Sequence, residues 1–510
     1  MTLANVGLSV SDVVLGGSDA EADPKLAEYF VNTPYVQTAL AGRRSLFLGR
    51  KGSGKSALFT QLPRLSREQE GRKHLVDVSL TPDQYAWASL RAYTEQGLLA
   101  EQAHTNAWKL TLVVEIASRV VQKKRRWKPE QRAAIQRLSK FLGDNFRSSK
   151  PSLATTASAL TRGLTELNLT AFGFGIGFAK SLAKTSPLAP AVLDAVLAEL
   201  RVVIADQPVL VLLDRLDDSW DGSPETQTLL VGLLKAAKEI NDHFASFGPN
   251  GLRIITFLRS DIYDALRFDD KDKHRATEEH ISWTPAQLKE MLQRRLPERV
   301  AVDALFEPGD MRGSISPFQY IVRRTFFRPR EVLQFVDECL SQTDPGATAI
   351  TKDAIRLAEE RYSRWKVSDL KQEYQKILPD FEALLEALRQ ERHRYDSLRD
   401  LELLLKQKTP DLVTRYGTRP LLEILFNTSV IGIRVADAGS TRFKAEDSEL
   451  VLPNAGAVYV HQSLYKGLNV REVRRAIEAV HTARDKTQDR VTVELYEKML
   501  LVQPIRTRSR

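Results

Sequence analysis

The segment Gly49-Arg50-Lys51-Gly52-Ser53-Gly54-Lys55-Ser56 follows an apolar triplet at residues 46–48 and opens a stretch with helical periodicity. A glycine, four residues and then Gly-Lys-Ser form a phosphate-binding loop when a strand precedes them and a helix follows. The glycines let phosphate oxygens approach backbone N–H groups, and the helix start adds the positive end of its dipole. The spacing therefore assigns Gly49, Arg50, Lys51, Gly52, Ser53, Gly54, Lys55, Ser56 and Ala57 to a bound nucleotide, with ATP and Mg²⁺ as the expected ligands. Lys55 is expected to neutralise the β- and γ-phosphates, and the Ser56 hydroxyl to ligate the metal.

This loop demands a sheet around it. Further strand candidates lie at residues 74–80, 209–213, 252–258 and 280–283, separated by helical sequence. Nearly all-apolar strands alternating with helices predict a parallel sheet covered on both faces. After residue 283 the pattern becomes helical (QLKEMLQRRL, REVLQFVDECL). Beyond about residue 377, helices precede two alternating stretches at 430–435 and 457–461. The expected architecture is an α/β P-loop NTPase sheet domain with an α-helical lid and a C-terminal winged-helix-like α+β region. Its expected bounds are 1–283 with a helical insert at about 85–200, 284–377 and 378–510. Within the insert, residues 147–187 are rich in Ser, Thr and Gly, and residues 164–180 alternate like a strand. The last forty residues read as helix ending in a basic tail.

Strand ends in such a sheet face the ligand. Asp214 ends the apolar run VLVLL, so it is the expected Mg²⁺ partner of Ser56. Asp217 and Asp218 follow in VLVLLDRLDDSWD, as candidate bases or as caps of the next helix. Arg259 ends the apolar run LRIITFL. It could stabilise charge on the γ-phosphate, or pair with Asp261 or Asp264. In RRTFFRPREVL, Pro329 marks a helix start that aims Arg328 and Arg330 away from the helical region. Arg330 is the candidate nucleotide contact, with Arg323, Arg324 and Arg328 left open.

The order of P-loop, D-x-L-D-D, T-x-x-R strand end and helical lid resembles STAND-type ATPases of the wider AAA+/STAND group. The blocks GRKGSGKS, DRLDDSW, FLRSDIYDAL and RTFFRPRE resemble a family of uncharacterised bacterial P-loop ATPases. The resemblance implies that Asp214 holds magnesium, that Asp217 and Asp218 belong to the hydrolytic apparatus, and that Arg259 is the arginine of the sensor strand. It also implies a conformational switch, in architectures that often serve phage defence. One departure stands out. Arg215 follows Asp214, where many hydrolysing relatives place a glutamate that orients water.

Charge narrows the partners. The net charge is +9, and residues 119–150 hold eleven Lys/Arg against two Asp/Glu. That run, which includes KKRRWK, could attract phosphate backbones or be the solvated end of a helix. Residues 351–510 carry 29 Lys/Arg and 24 Asp/Glu, a small excess for a dedicated DNA reader. Cys339, the single cysteine, sits in a periodic stretch and reads as a core residue. No signal peptide is expected, because the first residues combine neither a basic stretch nor a long apolar run, and no membrane span is expected, because no segment offers about 18 uncharged apolar residues. The expected location is cytoplasmic, with no membrane partner. Three functions compete: an ATPase switch with a protein partner or a homo-oligomer, a DNA-binding ATPase similar in plan to origin-recognition proteins, and a nucleotide-gated scaffold that barely turns over.

Overall fold

The computed structural model describes residues 1–17, 19–82, 84–91, 99–146, 151, 155–156, 170–172, 188–434, 441–454 and 456–472. Five strands, β1 (Leu46–Leu48), β2 (Val76–Leu80), β3 (Val209–Leu213), β4 (Leu252–Leu258) and β5 (Glu278–His280), form one sheet in the order β2-β3-β4-β1-β5. Every pairing is parallel. All five residues of β3 are buried, so this strand has no polar face to show to water.

Its side chains divide with the period of two that a strand imposes. Val209, Val211 and Leu213 enter one core with Trp108, Leu229 and Phe244. Leu210 and Leu212 enter the other, with Phe47, Leu58, Leu62 and Phe257. The first core is roofed by long helices at Ala100–Gln122, Pro129–Phe146, Leu188–Ile204 and Pro224–Phe244. Two of them approach closely at Gly232, where a Cβ would come within 2.9 Å of His104 Cβ.

After β5 the chain forms helices at Pro285–Gln293, Pro317–Val322 and Pro329–Ser341. Each begins with proline at a position whose N–H needs no partner, and Thr284 and Ser316 cap the first two. Cys339 is buried in the third, as a core reading requires.

Packing divides the chain into two units: residues 1–358 with 376–378, and residues 359–375 with 379–510. Residues 284–358 thus pack in the same unit as the sheet. The second unit holds helices at Phe381–Glu386, Leu398–Lys408, Pro410–Tyr416 and Thr418–Asn427. Its four strands are β6 (Arg394–Tyr395), β7 (Ile431–Arg434), β8 (Thr441–Arg442) and β9 (Val458–Val460), antiparallel in the order β6-β9-β7-β8. The alternating stretches of the sequence fall on β7 and β9. The strand expected at 164–180, most of the segment 147–187, and the C-terminal helix and basic tail lie outside the described residues. No helix among the described residues is long and apolar enough to cross a membrane.

One core group titrates in the physiological range. Burial pushes the Glu115 carboxyl up to about 7, against a smaller opposing pull from Arg119. The carboxyl stays neutral in the fold while the unfolded chain ionises above about 4.5. Its stability contribution is therefore complete below about 4.5 and is lost as pH rises through 7. Glu115→Gln removes this dependence. Urea melts at pH 5 and pH 8 should show the variant gaining on the parent by about 2.5 kcal/mol between the two.

Candidate functional site

The phosphate-binding loop joins β1 to the helix Lys55–Arg67, which starts behind Gly54 at φ 101°. Gly52 also has positive φ, at 78°, so both turns need glycine. Lys55 is buried, and its ammonium donates to the carbonyls of Gly49 at 2.9 Å and Arg50 at 3.1 Å. Ser53 Oγ is buried without a hydrogen-bond partner among the described residues. An orphaned hydroxyl inside a loop of turned-in backbone, next to a lysine, fits an incoming oxyanion.

Asp214 follows β3 and is buried. It accepts a hydrogen bond from Ser56 Oγ at 2.8 Å, so the two oxygens assigned to a cation come from different elements and meet. A hydroxyl and a carboxylate suit Mg²⁺, which completes its shell with water and phosphate. Burial raises the Asp214 carboxyl above the usual carboxylate range, and Lys55 and the Ser56 hydroxyl oppose that rise. Burial likewise lowers the Lys55 ammonium, with Asp217 and then Asp214 pulling it back.

The acidic pair after Asp214 splits. Asp217 lies 3.8 Å from Arg259, and its charge favours the Lys55 ammonium. Asp218 instead lines a separate cavity of about 650 Å³ with Trp87, Arg91, Trp220 and Lys376. Its carboxyl is raised by burial and by neighbouring Asp217.

Arg259 sits past β4, with its guanidinium gripped by Asp261 through bonds of 3.1 and 2.6 Å. That pairing fixes its direction and leaves it beside Asp217 and Lys55. Of the two acids foreseen as its partners, Asp261 makes the pairing, and it does so below the surface, where both side chains are largely covered. Arg215 adopts φ 59° and pairs through Nε, at 3.0 Å, and Nη2 with the Glu21 carboxylate. Arg215 thus turns toward the N-terminal segment.

The four arginines of the helical region separate in the same way. A Cβ on Gly52 would meet Arg330 Cβ at 3.3 Å and Arg328 Cδ at 4.0 Å, so these two lie against the loop. Arg328 is buried and pairs with Glu331 at 3.5 Å. Arg324 lies over the Tyr320 ring, and Arg323 is exposed.

Two aromatic residues of the site were not anticipated. Trp283, just past β5, donates from its indole N–H to Ser53 O at 2.8 Å. It packs edge-on against Tyr35 with ring centroids 6.0 Å apart. A cue existed, because Trp283 closes the short apolar run HISW on the ligand side of a strand. Tyr35 offered none beyond its place in AEYFVNTPYV.

Comparison with known proteins adds the following. A family model described as the FunZ-associated C-terminal helical domain matches residues 285–371. Over 505 residues the chain is 23% identical to the "Putative transposon gamma-delta 80.3 kDa protein" of Escherichia coli (strain K12), covering 92% of this chain and 69% of that one. Among solved structures it is similar to the Aeropyrum pernix ORC2 protein in ADPNP–ADP complexes, with 12% identity and a TM-score of 0.34 over 88% of this chain and 92% of that one. It is also similar to the Aeropyrum pernix ORC1 protein in complex with DNA, with 11% identity and a TM-score of 0.32 over the same shares. At such scores the overlap is too slight to carry the fold, which rests on the strand order and register above.

The Ser56–Asp214 pair makes a metal-specific prediction. Ser56→Ala and Asp214→Asn should each weaken binding of a fluorescent ATP analogue by about tenfold or more in Mg²⁺, since outer-shell partners alone are worth that much. In EDTA the same variants should differ from the parent by less than about threefold.

Proposed function

We propose that this chain binds Mg-ATP at residues 49–57 and hydrolyses it to switch conformation. The observation that carries the reading is the Ser56–Asp214 hydrogen bond at 2.8 Å, which joins the loop helix to the end of β3 beside Lys55. Lys55 releases its two loop carbonyls and binds β- and γ-phosphate oxygens. Ser56 and Asp214 would hold a magnesium ion, which would supply charge neutralisation at those phosphates. Asp217 accepts the proton of the attacking water, in place of the glutamate absent at Arg215. Arg259, braced by Asp261, stabilises charge developing on the γ-phosphate. Arg330, and Arg328 behind it, connect the helical region to the same phosphates.

Support for a switch comes from the N-terminal segment. The Met1 amino group donates to Arg299 O, and Val10 N donates to Ala347 O at 2.7 Å. Arg295 donates to Leu15 O at 2.6 Å and pairs with Asp23 at 3.3 Å. The segment thus lies along residues 295–347 and then delivers Glu21 to Arg215. Movement of residues 284–358 reaches the residue next to Asp214 by this route as well as through Arg330. The functional division into a sheet domain to 283, a lid from 284 to 377 and a region from 378 is part of this proposal.

A DNA-handling ATPase similar in plan to origin-recognition proteins is the second reading. Its support is the order helix, β6, helices, β7, β8, β9, with β9 between β6 and β7, which suits a winged-helix-like unit. The relative named for a transposon also fits work on DNA. A place in phage defence stays an analogy of architecture.

Lys55→Ala should abolish phosphate release from ATP, and unchanged turnover in that variant would refute the reading. Asp217→Asn should lower kcat by about 100-fold or more with nucleotide affinity retained, in the range general bases contribute. Asp218→Asn should change kcat by less than about threefold. A larger loss in Asp218→Asn than in Asp217→Asn would reverse the assignment.

A further inference from the structure

The basic run singled out in the sequence has a definite place that the nucleotide site does not use. Helix Ala100–Gln122 ends at Lys123, and helix Pro129–Phe146 begins six residues later, so residues 123–128 form a link between them. The link is pinned to the amino-terminal edge of the sheet. Lys123 Nζ lies 3.5 Å from Leu75 O, just before β2. Arg125 donates to Asp206 O at 2.8 Å and to Gln207 Oε1 at 3.1 Å, just before β3. Trp127 packs against the main core, and the Arg125 guanidinium lies over its ring at 5.5 Å. All five strands are parallel, so this edge is opposite the one that carries the phosphate-binding loop.

What the link presents is almost wholly cationic. Lys124, Arg126 and Arg132 are exposed, and none has a carboxylate partner among the described residues. Arg119 and Lys128 are exposed beside them. Between residues 119 and 132 the one acid is Glu130, and the adjoining Asp206 is already bound by Lys128 and Gln131. Along the same edge, exposed Lys73 precedes β2 and exposed Arg43 precedes β1. Three strand spacings separate β2 from β1 in the sheet order, so the row is about 14 Å long at that edge.

We propose that this edge binds the phosphate backbone of duplex DNA, without reading base sequence. Exposed cations spaced along a sheet edge match a line of phosphates, and each one that neutralises a phosphate releases condensed counterions. An acidic protein or an anionic membrane is a weaker fit. The one aromatic side chain of the 123–128 link, Trp127, is turned to the core and offers no apolar anchor. The second unit gives no competing phosphate surface on its helix Thr418–Asn427. There Arg419 is engaged by Glu423 and by the carbonyls of Leu452 and Pro453, and Glu423 cancels its charge.

The test uses the full chain and a fluorescently labelled duplex of about 25 base pairs with no special sequence. Anisotropy titrations run across salt concentrations. About five phosphate contacts predict a log–log salt slope near −4.5, so affinity falls by about 500-fold between roughly 50 and 200 mM salt. The triple variant Lys124→Ala, Arg126→Ala, Arg132→Ala should bind at least about tenfold more weakly, with the slope reduced by about 2.7. Lys124→Gln alone should reduce it by about 0.9, which keeps the test decisive if the triple variant folds poorly. Lys55→Ala should bind DNA like the parent, which separates this proposal from the ATPase reading. The proposal is overturned if the variants bind duplex like the parent, if binding ignores salt, or if phosphatidylserine vesicles or polyglutamate are bound in preference to the duplex.

Discussion

Parallel pairing of the five strands is the constraint from which the two faces of this molecule follow. A parallel strand cannot return by a tight turn, so each connection must cross the sheet through a helix or a long excursion. All carboxyl ends then gather at one edge and all amino ends at the other. Gly49 to Ser56, Asp214, Arg259 and Trp283 stand at strand exits and so converge, although they are spread over more than two hundred positions of the chain. The entries to β1, β2 and β3 lie at the far edge, where Arg43 precedes β1, Lys73 precedes β2 and the 123–128 link is tied to the entries of β2 and β3. Opposite chemistry at opposite edges needs no separate domains. It follows from strand direction.

Charge at the exit edge is arranged so that no member stands alone. Lys55, Asp214, Asp217, Arg259 and Asp261 form a compact set in which each carboxylate has a cation or hydroxyl close by. Burying any one of them singly would cost several kcal/mol, whereas a mixed set lowers that cost by mutual attraction. The Lys55 ammonium is presently held by neutral carbonyls. Neutral acceptors satisfy it weakly compared with an anionic oxygen, because charge-assisted bonds are about twice as strong. These contacts keep the lysine ordered through weak acceptors alone.

Much of this edge was legible in the sequence because its cues are local. Gly49, Gly54, Lys55 and Ser56 lie within eight residues, and Asp214 closes an unbroken apolar run that can only be an interior strand. What was not legible depends on contacts between distant segments. Asp217 and Asp218 are adjacent and chemically identical, yet the turn after β3 sends one to Lys55 and the other to the Trp87 and Trp220 cavity. Arg215 could face the nucleotide or turn away. Its direction is set by Glu21, nearly two hundred residues upstream. Among the four arginines near Pro329, helical phase alone does not separate Arg330, which lies on Gly52, from Arg324, which lies on Tyr320.

The left-handed turn at Arg215 deserves a physical reason, because positive φ is unfavourable by roughly 1 kcal/mol for a residue with a Cβ. Asp214 must stay in line with β3 to reach Ser56, and its N–H is fixed to Leu80 O at 3.1 Å. The chain then has to leave the sheet within three residues, since Asp217 is already beside Lys55 and Arg259. A reversal at residue 215 achieves this, and the two-point bond to Glu21 offsets the backbone cost. Glycine would make the same turn without strain but would leave Glu21 unpaired and the N-terminal segment untied at this point. Arg215 therefore has a structural function. It fastens the segment that runs along residues 295–347 to the turn carrying Asp214, and it leaves Asp217 as the carboxylate that faces the loop.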